Sequence, residues 1–394
     1  MSKGVKLFWG IVALAALILI VILARTPSSK DLSSSMLPAG TITVGVVLPL
    51  TGDRAAYGIS INRAAEIAVE EINATGGIGG RQVRVVLEDG KCEEKEATAA
   101  AQKLINLDQV KVIFGGVCSS ETLAMAPLAE AASVLVVSPS STRPDITTAG
   151  DFIFRTAPSD TAAGGVAAQY AYEKMTAKRA AIISQINDHT QGLRKVFKEK
   201  FSALGGEIVA DETYNTADID MRAQILKIKA ANPDVIYILP QTPAQGVLLL
   251  KQLAANGVTA KRLTAEVMLN SNIVAENKAI LEGLTGIETW FDEQGEAASM
   301  LAKYKEKYNE PAAFASFQAN MYSQFYLLKE AVEKTESMDT EKIRDYFYAI
   351  KDWKHALGSL TFDANGDPVG LPYSVKQVTS GELKELEIYR RAVQ

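Results

Sequence analysis

From residue 41 the chain alternates between two hydrophobic periods. "TITVGVVLPL" is a short apolar run rich in β-branched residues. "INRAAEIAVEEIN" follows with Ala65, Ala68 and Ile72 at helical spacing and stops at the glycines of "ATGGIGG". "RQVRVVLED" reads as a strand, and "EEKEATAAAQKLIN" as an alanine-rich helix opened by acids, as the helix dipole favours. "VKVIFGG", a helix through "ETLAMAPLAEAA" and "VLVVSPS" complete a βαβαβ order. That order is the pattern of a parallel sheet covered on both faces.

The rhythm restarts after "FIFRTAPSD". "RAAIISQ", "EIVADETY", "DVIYILPQ" and "RLTAEVM" read as strands, and the segments between them as helices. Two α/β units of similar layout therefore lie in series, joined near Ala157–Thr161, without being strict repeats. Beyond Gly286 the pattern predicts helices over 295–308 and 316–335 and a β-like end, "GSLTFDANGDPVG…YSVKQV", too small for a third domain and expected to complete the first two. The length of 394 residues suits two domains. The expected fold class is α/β, two doubly wound parallel-sheet lobes around a cleft at the strand ends, where ligands bind in open parallel sheets.

The first forty residues do not share this pattern. Lys3 and Lys6 precede the uncharged stretch 7–24, "LFWGIVALAALILIVILA", which exceeds the usual signal-peptide core and just reaches the length of a membrane span. The positive flank should stay in the cytoplasm and send the rest outward. No good small-x-small cleavage site follows. An uncleaved anchor with a polar tether over 1–40 is expected in preference to a cleaved signal peptide. The chain is then extracytoplasmic and held at the membrane by 7–24, or periplasmic if the segment is removed. Export changes the meaning of the only two cysteines, Cys92 and Cys118. In an oxidising compartment an even pair favours a disulfide over two buried thiols.

The net charge of −5, with a pI near 5.4 and no run of Lys and Arg, excludes a nucleic-acid surface. The partners are expected to be small molecules or proteins. Catalytic motifs are scarce: there is no G-x-S-x-G, no H-E-x-x-H and no phosphate loop, and "GGIGG" follows a helix where a dinucleotide fingerprint needs a strand. His189 and His355 are the only histidines that could activate Cys118 or Ser119, and a cysteine in a disulfide cannot act as nucleophile. No enzyme, cofactor or metal is expected.

Two clusters of hydroxyl residues end adjacent apolar runs. Ser119 and Ser120 precede the helix expected near Glu121, and Ser140, Ser141 and Thr142 precede Pro144. Helix capping alone accounts for either one. Together, at neighbouring strand ends, they also suit a carboxylate held by hydroxyls and backbone N–H groups. Glu266, at the end of "RLTAEVM", is either a surface loop residue or an acid facing the cleft. In the second case it can pair with an ammonium group, so that the two units together would read an amino-acid zwitterion.

The segments "VGVVLPLTGDRAAYG", "AVEEINATGGIGG", "C…VIFGGVCSSET", "VVSPSSTRPDIT", "FRTAPSD" and "GSLTFDANGD" occur in this order over residues 41–378. That region resembles the leucine/isoleucine/valine-binding proteins, type I periplasmic solute-binding proteins of ABC transporters. The resemblance implies a Cys92–Cys118 disulfide and carboxylate contacts at Ser119 and Thr142. It implies ammonium contacts at the Ser140 carbonyl, the Thr142 hydroxyl and Glu266. Tyr57 matches an aromatic that covers the ligand, and Phe317 aligns more loosely with another. The chain would cross between lobes three times, giving lobe 1 residues 41–158 with 289–367 and lobe 2 residues 159–288 with 368–394. His189 stands where the family often has a tyrosine, and Gln241 or Thr242 where it has another aromatic. A pocket more polar than one built for leucine follows.

The expected function is capture of an amino acid, or a related small amide, between two lobes and its delivery to an ABC transporter permease, by a monomer. The alternative is an extracellular ligand-sensing receptor domain without a transport role.

Overall fold

A computed structural model describes residues 40–389 except Asp292, so the stretch 7–24, with the membrane helix and tether expected there, lies outside the described residues. Among the described residues no helix is long and apolar enough to cross a membrane.

The apolar runs become strands, buried on both faces except for Val83–Asp89 at the sheet edge. β1 (Ile42–Leu48), α1 (Ala55–Ala74), β2 (Val83–Asp89), α2 (Glu94–Asn106), β3 (Val112–Gly115), α3 (Ser119–Ala132), β4 (Leu135–Ser138) and β5 (Ile153–Arg155) follow in order. The five strands form a parallel sheet, β2-β1-β3-β4-β5, with Val46 opposite both Leu87 and Phe114. α2 shows how the sequence selects its element. Ala97, Ala100, Ala101 and Leu104 make one apolar stripe against Val47 and Ile113, with Glu94 and Glu96 in the first turn and Lys103 in the last.

The second sheet repeats the winding. It comprises α4 (Asp160–Glu173), β6 (Arg179–Gln185), α5 (Asp188–Ala203), β7 (Glu207–Tyr214), α6 (Arg222–Ala231), β8 (Val235–Leu239), α7 (Pro243–Ala255), β9 (Lys261–Ala265), the short α8 (Ser271–Glu276) and α9 (Lys278–Leu281), and β10 (Thr285–Thr289). Its parallel strands run β7-β6-β8-β9-β10, the order of the first sheet shifted by five. One face buries Phe197, Tyr237 and Leu263, and the other Ile183, Ile236 and Leu250.

The remaining chain divides between the two sheets. α10 (Ala298–Tyr308), α11 (Ala315–Thr335) and α12 (Thr340–Ala349) precede a small hairpin of β11 (Trp353–His355) and β12 (Gly358–Leu360), then β13 (Tyr373–Thr379) and β14 (Glu382–Tyr389). α11 and α12 return to the first sheet, where Phe325 meets Phe114 edge-on at 4.8 Å and Phe347 meets Phe154 at 5.4 Å. β13 extends the second sheet antiparallel to β10, with Ile287 opposite Val375, and β14 lies antiparallel outside it. The chain thus passes between the sheets three times. The first passage is tied to the last by a buried, two-pronged ion pair. Arg155 Nε and Nη2 donate to the Asp367 carboxylate at 2.6 Å each, and Nη1 donates to the Arg143 carbonyl at 2.8 Å.

Three local expectations are corrected. The helix after the first hydroxyl cluster starts at Ser119 rather than near Glu121, and no serine side chain caps it. Cys118 is the residue before the helix, and its backbone N–H is taken by Glu121 at 2.9 Å, so the helix end is served without a hydroxyl. The strand expected through Met268 ends at Ala265, where the ladder with β10 ends, and Glu266–Met268 form a 3₁₀ turn. α12, β11 and β14 are additional elements, while β12 opens the β-like end expected from Gly358.

Candidate ligand-binding site

Six strand ends deliver the side chains of one cavity of about 240 Å³. β1 leads to Arg54 and Tyr57, β3 to Ser119, β4 to Ser140 and Thr142, β6 to Asn187 and His189, β8 to Gln241 and β9 to Glu266; Phe317 comes from α11. Two glycines permit this convergence. A Cβ on Gly58 would lie 1.9 Å from the Pro49 carbonyl oxygen, so α1 can place Tyr57 hard against the end of β1 only with glycine beside it. Gly115, at φ 131°, brings the end of β3 within 2.1 Å of Val47 O, measured from where a Cβ would sit.

The wall from the first sheet is a net of hydroxyls. Ser138 Oγ donates to the Gly116 carbonyl at 2.7 Å, Ser140 Oγ to Val117 O at 2.9 Å and Ser141 Oγ to Gly116 O at 2.9 Å. Ser119 Oγ accepts the backbone N–H groups of Thr142 and Arg143 at 3.3 and 3.2 Å. The capping account fails for the second cluster too, because the 3₁₀ turn Pro144–Thr148 has no side-chain cap. The hydroxyls instead lock the turn after β3 to the turn after β4. This leaves the N-terminus of α3, with its first-turn N–H groups and positive dipole end, at the cavity.

The wall from the second sheet carries charge. His189, in the first turn of α5, lies between two acids. Its Nε2 is 3.1 Å from Glu266 Oε1, and its Nδ1 is 2.8 Å from Thr142 Oγ1 and 3.4 Å from Asp160 Oδ1. Burial lowers its proton affinity, but the charges of Asp160 and Glu266 outweigh burial and hold its pKa well above the ordinary histidine range. Asp160 is fully buried, and among the described residues neither carboxylate oxygen has a conventional hydrogen bond; the His189 ring, with Nδ1 3.4 Å away, lies beside it. Tyr57 lies face to face with Phe314, centroids 4.0 Å apart. Its hydroxyl is buried with no hydrogen-bond partner among the described residues, and burial followed by the Glu266 charge keeps it protonated.

All eight residues expected at a ligand, Tyr57, Ser119, Ser140, Thr142, His189, Gln241, Glu266 and Phe317, line this cavity. Of the pair left open at the second aromatic position, Thr242 instead caps α7. The cavity also meets Arg54, whose Nε is buried without a hydrogen-bond partner among the described residues, and Asn187. Arg54 had a sequence signal, a lone cation between the first strand and its helix. Asp160 had none, since an acid opening a helix reads as dipole compensation. Cys92 and Cys118 form a disulfide at the cavity edge, with Cα atoms 5.2 Å apart. Glu121 lies close to both sulfurs, but they are bonded to each other and offer no thiolate to a metal. A second cavity of about 500 Å³ shares Glu266 and Phe317 with the first and contains the Lys376–Glu288 ion pair, 2.6 Å long.

The chain is 31% identical over 358 residues to a leucine-, isoleucine-, valine-, threonine- and alanine-binding protein of Pseudomonas aeruginosa, covering 89% of this chain and 95% of that one. Its fold is similar to a leucine-binding protein, LivK, from Thermotoga maritima, with TM-score 0.81, 29% identity, and coverage of 89% of this chain and 99% of that one. It is equally similar, at TM-score 0.81 and 28% identity, to a branched-chain amino acid transporter substrate-binding protein, LivJ, from Streptococcus pneumoniae in complex with isoleucine, covering 89% of this chain and all of that one. The periplasmic binding protein family matches residues 41–382, nearly the whole described chain, and the protein belongs to that family of solute-binding proteins, which are not enzymes.

Proposed function

We propose that this protein captures an amino acid, or a related small amide, in the cavity between its two sheets and delivers it to an ABC transporter permease. The observation that carries this reading is the opposition of unlike walls: hydroxyls and a helix N-terminus from the first sheet, an acid from the second. The ligand carboxylate would lie against Ser119, Thr142 and the first turn of α3. Its ammonium would meet Glu266, the Thr142 hydroxyl and the Ser140 carbonyl. Tyr57 and Phe317 would close over the rest, with Gln241 making that side more polar than a purely aliphatic pocket. The cavity of about 240 Å³ suits a small metabolite, since drug-sized ligands occupy about 300–1,000 Å³.

In this proposal residues 41–158 with 289–367 form one lobe and 159–288 with 368–394 the other. The protein acts outside the cytoplasm as a monomer, with residues 7–24 as membrane tether or removed signal. Binding stabilises the closed arrangement, which the permease recognises. Thermal melting of the purified protein against each of the twenty amino acids tests the ligand class. At a hundred times Kd a ligand adds about 2.7 kcal/mol, so the cognate one raises the melting temperature clearly. No shift with any of them overturns the reading.

A further inference from the structure

Two of the three groups assigned above to the ligand ammonium are already engaged. Thr142 Oγ1 and Glu266 Oε1 lie 2.8 and 3.1 Å from the two nitrogens of His189, which bridges the cavity walls where a cation is wanted. We propose that His189 is the specificity-determining residue of this site, an internal cation that an amino acid must displace from Glu266 and that a carboxylate lacking an α-ammonium leaves in place. The proposal rests on the amino-acid reading of the cavity.

The charge count supports an exchange. The groups facing His189 are Asp160 from the start of α4, Glu266 after β9 and the Thr142 hydroxyl after β4. Around the same two acids stand the phenols of Tyr57, Tyr237 and Tyr373, with Arg54 beside Tyr57 and Arg155 beside Tyr373. With the imidazolium present, the buried Asp160 and the half-buried Glu266 share the cation that lies nearest to both. A ligand ammonium at Glu266 supplies a second cation, and the imidazolium then loses the partner that helped to hold its proton. It retains Asp160, swings from Glu266 and releases its Nε2 proton to solvent. A des-amino carboxylate brings only negative charge, which the intact imidazolium favours. The two ligand classes therefore respond to pH in opposite directions. Affinity for amino acids rises with pH until His189 is neutral, by up to about tenfold per unit. Affinity for des-amino acids is flat over that interval and falls above it, where the free protein's His189 loses the proton their carboxylate favours.

Calorimetry on the whole protein tests this with leucine, alanine and glutamine against 4-methylpentanoate, propanoate and glutaramate. The titrations run from about pH 6 to 9 in buffers of different ionisation enthalpy. The expected result is proton release with the amino acids only, and an affinity that rises with pH for them while that of the des-amino acids stays flat and then falls. His189→Phe should abolish both effects, and His189→Gln provides a second variant with a neutral polar side chain. The chain has only two histidines, so the imidazole Cε1–H signals of the wild type report the same event without a variant. His355, whose pKa burial lowers to about 4, stays neutral, while His189 should move from charged to neutral on adding an amino acid. Amino-acid binding without proton release, or with the same pH slope in wild type and His189→Phe, overturns the displacement and leaves the amino-acid reading standing. If none of the twenty amino acids shifts the melting temperature and none of the six compounds binds at any pH, that reading and this proposal fall together.

Discussion

Glu266 offers the cavity a full charge where Ser119 offers only a hydroxyl dipole, and this difference sets what each substitution does. A hydrogen bond to a charged group contributes about 1.5–3 kcal/mol, so Glu266→Gln should weaken the cognate amino acid roughly tenfold to a hundredfold. Ser119→Ala should cost less, because the N–H groups at the start of α3 remain. Calorimetry decides it, and unaltered binding by Glu266→Gln would remove the acid from the site. Glu121 gives a prediction of another kind. Burial raises its pKa to about 7 against the N–H bonds from Cys118 and Cys92 that lower it. An acid whose folded pKa is raised above its unfolded value of 4.5 contributes stability below that value and loses it as pH rises through about 7. Melting curves of Glu121→Gln should therefore improve relative to wild type between pH 5 and 8; a constant difference would refute the assignment. Ser119, Ser140, Thr142 and Glu266 of the cavity lining were legible because they punctuate the ends of apolar runs, whereas Tyr57, His189, Gln241 and Phe317 stood out only through the family resemblance. The imidazole bridge was not, since it joins residues 142, 160, 189 and 266, whose approach depends on how two sheets meet.

Among the elements, the parallel strands announced themselves as continuous apolar runs because each is covered on both faces. β2 and β7, each with a mostly half-buried pattern at the edge of its sheet, are the exceptions. α12 carried a readable signal that went unused: Asp339 caps it through the Glu341 N–H, and Ile343 and Phe347 make its apolar stripe. β11 has only three residues, too few for a period to emerge, although its partner β12 falls in the stretch read as β-like. What the strand pattern could not reveal is the clamp between β5 and the tail. Asp367→Asn leaves Arg155 buried and half-paired, a change that costs about 3–5 kcal/mol when a buried ion pair loses one partner. Its urea midpoint should fall accordingly, and an unchanged midpoint would mean that Arg155 finds another acceptor. The disulfide closes a loop of 26 residues in sequence separation, which in the chain-entropy model stabilises the fold by about 3–4 kcal/mol. Replacing both cysteines with serine should lower stability by that amount. Alkylation of the oxidised wild type should add no label by intact mass; two labels would exclude the bond.

On the scale of the molecule, Thr142, after a strand of the first sheet, meets His189, after a strand of the second, and so joins the two sheets across the cavity. Small-angle scattering should find a smaller radius of gyration with saturating amino acid than without, and an unchanged radius would argue against a hinge at the three passages. The matched winding of the two sheets has a further consequence for how such a site arises. Because β1, β3 and β4 correspond in position to β6, β8 and β9, the cavity is made of counterparts. Tyr57 answers to His189, Ser119 to Gln241 and Thr142 to Glu266, each following the equivalent strand. Three identical couples would present each position twice and grip both ends of a molecule alike. In the proposed binding mode the unlike members of these couples give the grip a direction, one end of the guest held as an anion and the other as a cation.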